Sequence, residues 1–255
     1  MSEGFLNQLA SDGVAGPLAL ADKSKLDQAR DAVFALKARR RAQLQRERET
    51  GTTNTEPNPL LDRHLDIPVL HDLYFDANLQ AAVKLAFGTN LFVWRTNFFV
   101  KSDGTGQNKW HHDRHFENGR EPISLYDTSN HFTITIALTD IDLDQGRLEY
   151  VRGSHKEIEG FDRDIPRHFL EAPAVIEDRV TPMPLKRGEF VLMHSSLLHR
   201  SLAFDKGARR VSMAARLARN GTAIPEYGSI NPAGGKQSVA EPNVYYRETG
   251  IMQFN

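Results

Sequence analysis

Residues 185–217, LKRGEFVLMHSSLLHRSLAFDKGARRVSMAARL, predict three β-strands in succession. The first runs from Glu189 to His194, the second from Leu197 to Ala203, and the third from Arg209 to Leu217. The connections between them are short and contain turn residues, and neither is long enough for the helix that joins parallel strands. The stretch therefore predicts antiparallel pairing.

Segments upstream show the same strand character. Leu91–Lys101 is rich in β-branched and aromatic residues, and Arg147–Arg152 is a further predicted strand. In HFTITIALTD, residues 131–140, every second residue from Phe132 to Leu138 is apolar, as in a strand with one buried face. We therefore expect an antiparallel jelly roll or barrel with helices packed outside it.

The N-terminal third has helical periodicity instead. Ser24–Asp27 resembles a capping box at the start of a helix. This helix runs into the basic stretch Lys37–Glu49, which is interpreted as a solvated helical face. A second helix is expected between Asp76 as N-cap and Gly88 at its C-terminal end, and residues 50–59 have the composition of a flexible loop. The apolar positions at helical spacing in the first helix are Leu26, Ala29, Val33 and Leu36.

Composition excludes several classes of protein. The 255 residues carry a formal net charge of -1, so no overall positive field attracts nucleic acid or an anionic membrane. The chain has no cysteine, which excludes disulfides, thiolate metal sites and cysteine nucleophiles. We expect a cytoplasmic protein with neither a signal peptide nor a membrane span. It should form one domain, with residues 1–90 mostly helical, 91–217 as the jelly-roll core and 218–255 as a loop-rich C-terminal arm.

The stretch KWHHDRHF, residues 109–116, has the composition of a metal site. In a strand, residues two apart point the same way, so His111 and Asp113 can converge on one ion while His112 faces away. In a helix, His111 and His115 would pair as in zinc hydrolases, but those enzymes place a glutamate after the first histidine and this chain has His112. The extended interpretation is therefore favoured.

A histidine two residues from a carboxylate is a weak signal by itself. His64 and Asp66 form a second such pair, which we interpret as a surface or capping histidine. His115 and Glu117 form a third with the same strand parity, and this pair remains an alternative.

The downstream strands supply the remaining parts of a particular chemistry. If Asp205 and Lys206 form a two-residue hairpin turn, Ser212 lies opposite His199 and Arg210 shares that face, whereas a three-residue loop would bring Arg209 round. Two histidines and one carboxylate leave three positions of Fe(II) open, and a bidentate 2-keto acid fills two of them. An arginine with a neighbouring hydroxyl suits the far carboxylate of that acid.

At this point the sequence resembles the phytanoyl-CoA hydroxylase-like family of Fe(II)/2-oxoglutarate-dependent dioxygenases. The resemblance covers roughly residues 91–217, with a looser similarity at DGVAGPLALADKSKLDQAR, residues 12–30. The matching motifs are WHHD, DLDQGRLEYVRGSHK, LKRGEFVLMH and the pair LHRS and RRVS. The resemblance implies a cupin-like double-stranded β-helix, mainly β with flanking α.

The family also implies roles for individual residues. His111, Asp113 and His199 correspond to the iron ligands, and Arg210 with Ser212 to the partners of the C5 carboxylate of 2-oxoglutarate. The eleven-residue step from His199 to Arg210 matches the family pattern and favours Arg210 over Arg209. Lys101 is similar to a lysine that meets 2-oxoglutarate in some members, although a lysine at the end of a strand is usually solvated. His194 is an alternative distal ligand, but it lacks the downstream spacing to an arginine, so we interpret it as a packed histidine or as a partner of a ligand. His155 is interpreted as structural or as a partner of a ligand, and His131 as a polar surface residue.

The implied reaction uses Fe(II), 2-oxoglutarate and O₂ to hydroxylate an unactivated C–H bond and releases succinate and CO₂. The implied substrate is a small molecule, an amino acid or secondary metabolite, free or bound to a carrier protein. Relatives that halogenate carry Ala or Gly at the carboxylate position, so Asp113 favours hydroxylation. Desaturation and cyclisation stay open, as does the oligomeric state. A zinc-dependent hydrolase and a non-catalytic jelly-roll binding module are the alternatives from other classes.

Overall fold

A computed structural model describes most of the chain. It covers residues 3–52, 59–113, 131–142, 146–161, 172, 174–205, 207 and 209–219, together with four short strands beyond residue 228. Part of the predicted loop at 50–59 lies outside these ranges, as does the alternative pair His115 and Glu117.

The strands form antiparallel sheets, and a seven-stranded sheet, the major sheet, faces a four-stranded one, the minor sheet. The strands are β1 (Val14–Ala19), β2 (Leu91–Lys101), β3 (Asn108–His111), β4 (His131–Ala137), β5 (Leu148–Val151), β6 (Val180–Met183), β7 (Glu189–His194), β8 (His199–Ser201), β9 (Arg210–Arg219), β10 (Ser229–Ile230), β11 (Lys236–Gln237), β12 (Val244–Tyr246) and β13 (Met252–Phe254). The order is β1-β7-β4-β9-β2-β12-β13 in the major sheet and β3-β8-β5-β6 in the minor sheet, while β10 and β11 pair with each other.

The chain changes sheet repeatedly between β2 and β9. It passes from β2 in the major sheet to β3 in the minor sheet, returns at β4, and alternates again at β5, β7, β8 and β9. This alternation makes the core a double-stranded β-helix, which confirms the predicted jelly roll. One predicted detail is wrong: His199 on β8 and Ser212 on β9 do not form a hairpin, because these strands lie in different sheets.

The helices are α1 (Glu3–Asp12), α2 (Leu26–Thr50), α3 (Pro68–Asp72), α4 (Ala77–Phe87) and the short α5 (Ala174–Glu177), with 3₁₀ turns at Arg63–Leu65 and Leu73–Phe75. The first four cover the outer face of the major sheet, as predicted, whereas Ile176 of α5 packs with Trp110 of β3 and Val151 of β5 in the minor sheet. The apolar side chains of α1 to α4 and of β2, β4, β7 and β9 form one buried cluster. Burial of this apolar area supplies the main stabilisation of the fold.

The termini of the predicted helices agree with the structure in part. The Asp76 side chain accepts the backbone N–H groups of Asn78 and Leu79, and Gly88 ends α4 with a φ of +81°, so both caps of this helix are confirmed. The capping box at Ser24 is wrong. Ser24 instead donates its N–H to Asp22, and α2 begins after Lys25 without a side-chain cap.

The N-terminal and C-terminal parts both reach the major sheet. β1 lies within residues 1–90 and pairs with β7, and β12 from the C-terminal arm pairs with β2. Sequence periodicity missed β1, since its side chains alternate only loosely between buried and exposed. None of the described helices combines the length and the apolar composition that a membrane span requires.

β4 is buried on both faces, whereas the sequence predicted one exposed face. Its apolar side chains pack under the helices, and its threonines, Thr133 and Thr135, point into the space between the two sheets. The polar face of this strand therefore lines an interior site rather than the surface.

Candidate active site

His111, Asp113 and His199 meet between the two sheets. His111 ends β3 and His199 begins β8, and the two residues are register partners with ring centroids 4.3 Å apart. Asp113 lies two residues beyond His111, so its side chain returns to the same side. One ligand atom from each of the three residues lies within 4.8 Å of the others, which is the spacing of donors around a single ion.

The hydrogen bonds of both histidines make the same ring nitrogen, Nε2, available to a metal ion. His111 Nδ1 lies 2.7 Å from the carbonyl oxygen of Lys109, and His199 Nδ1 lies 3.0 Å from that of Leu197. A carbonyl accepts only, so Nδ1 carries the proton and the lone pair is on Nε2. This arrangement is the usual one for metal-binding histidines, whose other nitrogen donates to a backbone carbonyl or carboxylate.

Asp113 is held by contacts from the major sheet. Its N–H donates to the carbonyl of Ser195, Thr133 Oγ1 donates to Oδ2 at 3.0 Å, and Arg216 Nη2 donates to Oδ1 at 2.6 Å. Burial alone would raise the pKa of Asp113, but Arg216 and the two histidines of the group outweigh it and hold the pKa well below its usual range. The carboxylate is therefore ionised, as a metal ligand must be.

A cavity extends from these residues along the inner face of β9. Alternate residues of this strand, Arg210, Ser212 and Ala214, face into it, which places Arg210 at a distance along the sheet from the histidines and Asp113. The remaining lining residues are Phe99, Asn108, Thr135, Leu148, Met183, Met193, Arg200 and Ser201. The cavity thus has three candidate metal ligands at one position and a cation, Arg210, at another.

Arg210 is a buried cation that no described carboxylate pairs with. Its side chain donates to the carbonyl of Gly146 at 2.6 Å and lies 3.5 Å from Ser212 Oγ, and its Nε has no hydrogen-bond partner among the described residues. Burial lowers its pKa to about 10. Arg209, by contrast, is exposed and lies over the ring of Phe34 at 5.3 Å.

Lys101 is buried beside Arg210 rather than solvated. The two residues are register partners on β2 and β9, and Lys101 Nζ donates to the carbonyls of Gly106 and Leu202 at 2.8 and 2.6 Å. Burial, together with the charge of Arg210, lowers the pKa of Lys101 to about 8. A contact between Lys101 and a keto acid stays a prediction, since both of these bonds go to backbone oxygens.

The other described histidines lie outside the group of three. His112 is buried and is not part of it. His155 and His194 stack with ring centroids 5.0 Å apart, as packing residues do. The surface interpretations of His64 and His131 are wrong because both are buried, and His64 Nδ1 lies 2.7 Å from Thr96 Oγ1.

Sequence reasoning missed two residues that hold Asp113. Arg216 follows Arg210, Ser212 and Ala214 on the same face of β9, and Thr133 is its register partner on β4. The alternation of β9 already placed Arg216 inside, so parity along the strand was the available signal.

Several solved structures share the fold. The structure titled "non-heme monooxygenase; ThoJ apo" is 20% identical over 88% of this chain and 81% of its own, with a TM-score of 0.65. The carbocyclase SnoK from nogalamycin biosynthesis is 18% identical over 86% of this chain and 84% of its own, with a TM-score of 0.62. CytC3 with Fe(II) and alpha-ketoglutarate is 24% identical over 89% and 83%, with a TM-score of 0.56.

No curated protein matches the sequence. The family model described as phytanoyl-CoA dioxygenase (PhyH) matches residues 9–211, which is most of the chain and contains every residue of the site up to Arg210. The cofactors that fit this family and the His-Asp-His group are Fe(II) and 2-oxoglutarate, with O₂ as cosubstrate. The chain belongs to the phytanoyl-CoA dioxygenase family and is an enzyme of the non-haem Fe(II)/2-oxoglutarate-dependent oxygenase class.

Proposed function

We propose that the protein hydroxylates an unactivated C–H bond of a small molecule and converts 2-oxoglutarate to succinate and CO₂. In this proposal His111, Asp113 and His199 hold Fe(II), while Arg210 and Ser212 bind the C5 carboxylate of 2-oxoglutarate. Each role rests on the position of the side chain within the cavity.

The observation that carries the proposal is the buried charge of Arg210. A buried cation without an anionic partner is costly, because it has lost its hydration and gained no compensating charge. Arg210 lies in the same cavity as the three metal-binding candidates, and its Nε has no hydrogen-bond acceptor in the part of the chain that the structure describes. A dicarboxylate that chelates the metal with one end and meets Arg210 with the other would satisfy both.

The residues of the chain position the reactants. When bound, Fe(II) with 2-oxoglutarate and O₂ supplies the oxidising power that C–H cleavage requires. The two imidazoles and Asp113 would hold Fe(II) with three protein ligands, which would leave room for the cosubstrates. Arg210 fixes the orientation of the keto acid, and the apolar walls from Phe99, Leu148 and Met193 limit the access of water.

Asp113 supports hydroxylation over halogenation, because a carboxylate ligand at this position would leave no place for a halide. The titles of two similar structures name an epimerase, SnoN, and a carbocyclase, SnoK. Because enzymes of similar structure catalyse different reactions, the chemical identity of the product is needed to distinguish hydroxylation from these reactions. We propose an amino acid or a secondary metabolite as the substrate, free or tethered to a carrier protein.

The test is an anaerobic absorbance titration with Fe(II) and then 2-oxoglutarate. Wild type should develop the visible charge-transfer band of an iron-chelated keto acid, and His199→Ala should lose it. His194→Ala is the matched control, since His194 is half-buried on β7 and lies outside the group of three. The control should keep the band.

The outcome also separates the rival classes. Iron bound without a band in wild type would contradict keto-acid chelation and favour a zinc hydrolase, which would act without O₂. Binding of neither iron nor keto acid would favour a non-catalytic module. A band that survives in His199→Ala would remove His199 from the ligand set.

A further inference from the structure

Arg216 makes a short charged contact to the candidate metal site. Its Nη2 lies 2.6 Å from Asp113 Oδ1, the same oxygen that lies 4.0 Å from His199 Nε2. The side chains of Arg216 and Asp113 are only 7% and 5% exposed, so water does not screen this pair. The contact therefore acts at full strength on a residue proposed to bind the metal.

Arg216 is itself fixed from the opposite side. Its Nη1 donates to Asn97 Oδ1 at 3.3 Å, and Asn97 is held in β2, where its backbone also forms a bridge with Leu61. β2 pairs with β9 along its whole length, which makes this part of the major sheet a rigid support. The guanidinium thus has one anchor in the sheet and one at the site.

Each oxygen of Asp113 has its own donor. Thr133 Oγ1 donates to Oδ2, and Arg216 Nη2 donates to Oδ1. A carboxylate held at both oxygens cannot rotate about its Cβ–Cγ bond without losing a hydrogen bond. Arg216 takes one lone pair of Oδ1 and leaves the other for coordination. Partners of this kind orient metal ligands and typically change metal affinity when they are removed.

We infer that Arg216 is a positioning residue that fixes Asp113 as a ligand with one available oxygen before the metal arrives. This inference rests on the proposed function, in which Asp113 is a metal ligand. The alternative role is purely structural: Arg216 would balance the buried charge of Asp113 for folding and leave metal binding unaffected.

The test compares Co(II) affinity in Arg216→Met and in its matched control Arg219→Met by calorimetric titration. Arg219 lies on the same strand, and its replacement by methionine removes the same charge. Its side chain, however, donates to the carbonyl of Phe87 and lies over the ring of Phe132, and so differs from that of Arg216, which contacts Asp113. We expect Arg216→Met to bind Co(II) at least about tenfold more weakly than wild type, the usual size for loss of a partner of a ligand. Arg219→Met should bind within about twofold of wild type.

Asn97→Ala provides a second variant that keeps both charges. It removes the anchor of Nη1 while Arg216 and Asp113 stay in place, so it tests positioning even if Arg216→Met fails to fold. We expect its Co(II) affinity to fall by about threefold, less than for the arginine variant, because one of two constraints on the guanidinium remains.

The results separate this inference from the proposed function. The proposed function would be overturned if the wild-type protein did not bind Co(II), or if His199→Ala bound Co(II) as tightly as wild type. Wild-type binding that depends on His199, combined with unchanged or tighter binding in Arg216→Met or Asn97→Ala, would overturn the positioning role alone. A lower melting temperature of apo Arg216→Met with unchanged Co(II) affinity would assign Arg216 to folding only.

Discussion

Replacing Arg210 with alanine should weaken 2-oxoglutarate binding by about thirtyfold. A charge-assisted hydrogen bond contributes roughly 2 kcal/mol, which corresponds to that factor in affinity. The structure supports a value of this size, since Arg210 is 4% exposed and its charge is poorly screened. The metal contacts of the keto acid should remain, so binding should be weakened and not abolished.

The same substitution should not destabilise the protein without ligand. Arg210 has no carboxylate partner among the described residues, and burial disfavours its charge and so lowers its pKa. Alanine removes this unfavourable charge but leaves a cavity and frees the carbonyl of Gly146. We expect these opposing effects to keep the melting temperature of the apoprotein close to that of wild type.

The assay is titration of the Fe(II)-loaded, oxygen-free protein with 2-oxoglutarate, followed by absorbance, with Arg209→Ala as control. Arg209 is the adjacent arginine and is exposed, so its loss should leave the affinity unchanged. Equal affinities in Arg210→Ala and wild type would refute the assignment. A thirtyfold loss in Arg209→Ala instead would transfer the role to that residue.

Three further predictions concern burial and charge elsewhere. Burial lowers the pKa of His64 from 6.5 to about 4, so below pH 6.5 the unfolded chain binds a proton that the folded protein does not. The free energy of unfolding should therefore fall by roughly 3 kcal/mol as the pH drops from 6.5 to about 4. In urea unfolding, His64→Gln should lose most of this pH dependence, and a variant whose stability falls as steeply as that of wild type would contradict the prediction. Burial lowers the pKa of Lys101 to about 8, so the affinity for 2-oxoglutarate should fall as the pH rises through that value and the ammonium group loses its proton. If Lys101→Met shows the same pH dependence of affinity as wild type, Lys101 does not contact 2-oxoglutarate. Gly13 has a φ of +86°, and a Cβ added there would overlap the ring of His155. Gly13→Ala should therefore lower the free energy of unfolding in urea by at least about 2 kcal/mol, while its Co(II) affinity stays within about twofold of wild type. A smaller loss of stability would mean that the His155 ring moves aside.

Much of the core architecture follows from local patterns in the sequence. The predicted bounds of β2 and β7 agree with the structure, since β2 is rich in β-branched and aromatic residues and β7 is a short run of apolar residues. Asp76 and Gly88 define α4 because capping chemistry is local. His111 and Asp113 were also predictable from local sequence, because side chains two residues apart at the end of a strand point to the same side of the sheet.

The remaining differences come from long-range contacts that one sequence does not encode locally. The expected hairpin between His199 and Ser212 rests on the tendency of consecutive strands to pair, and in a jelly roll consecutive strands change sheet. Burial of His64 and His131 depends on elements distant in the chain. The role of Arg216 appears only when β9 and β3 come together, since 103 residues separate it from Asp113.

The buried charges at the cavity and next to it divide into two kinds, and the division indicates what the site binds. Asp113 and Arg216 neutralise each other at 2.6 Å, so this pair is stable in the folded chain without any ligand. Arg210 and Lys101 are both cations, they are neighbours in register, and the pKa of each is lowered by burial. Among the described residues both cations donate to backbone carbonyls and neither pairs with a carboxylate, so a bound anion would compensate for their burial. The buried cations therefore favour an anionic cosubstrate over a neutral one, which is the charge that 2-oxoglutarate brings.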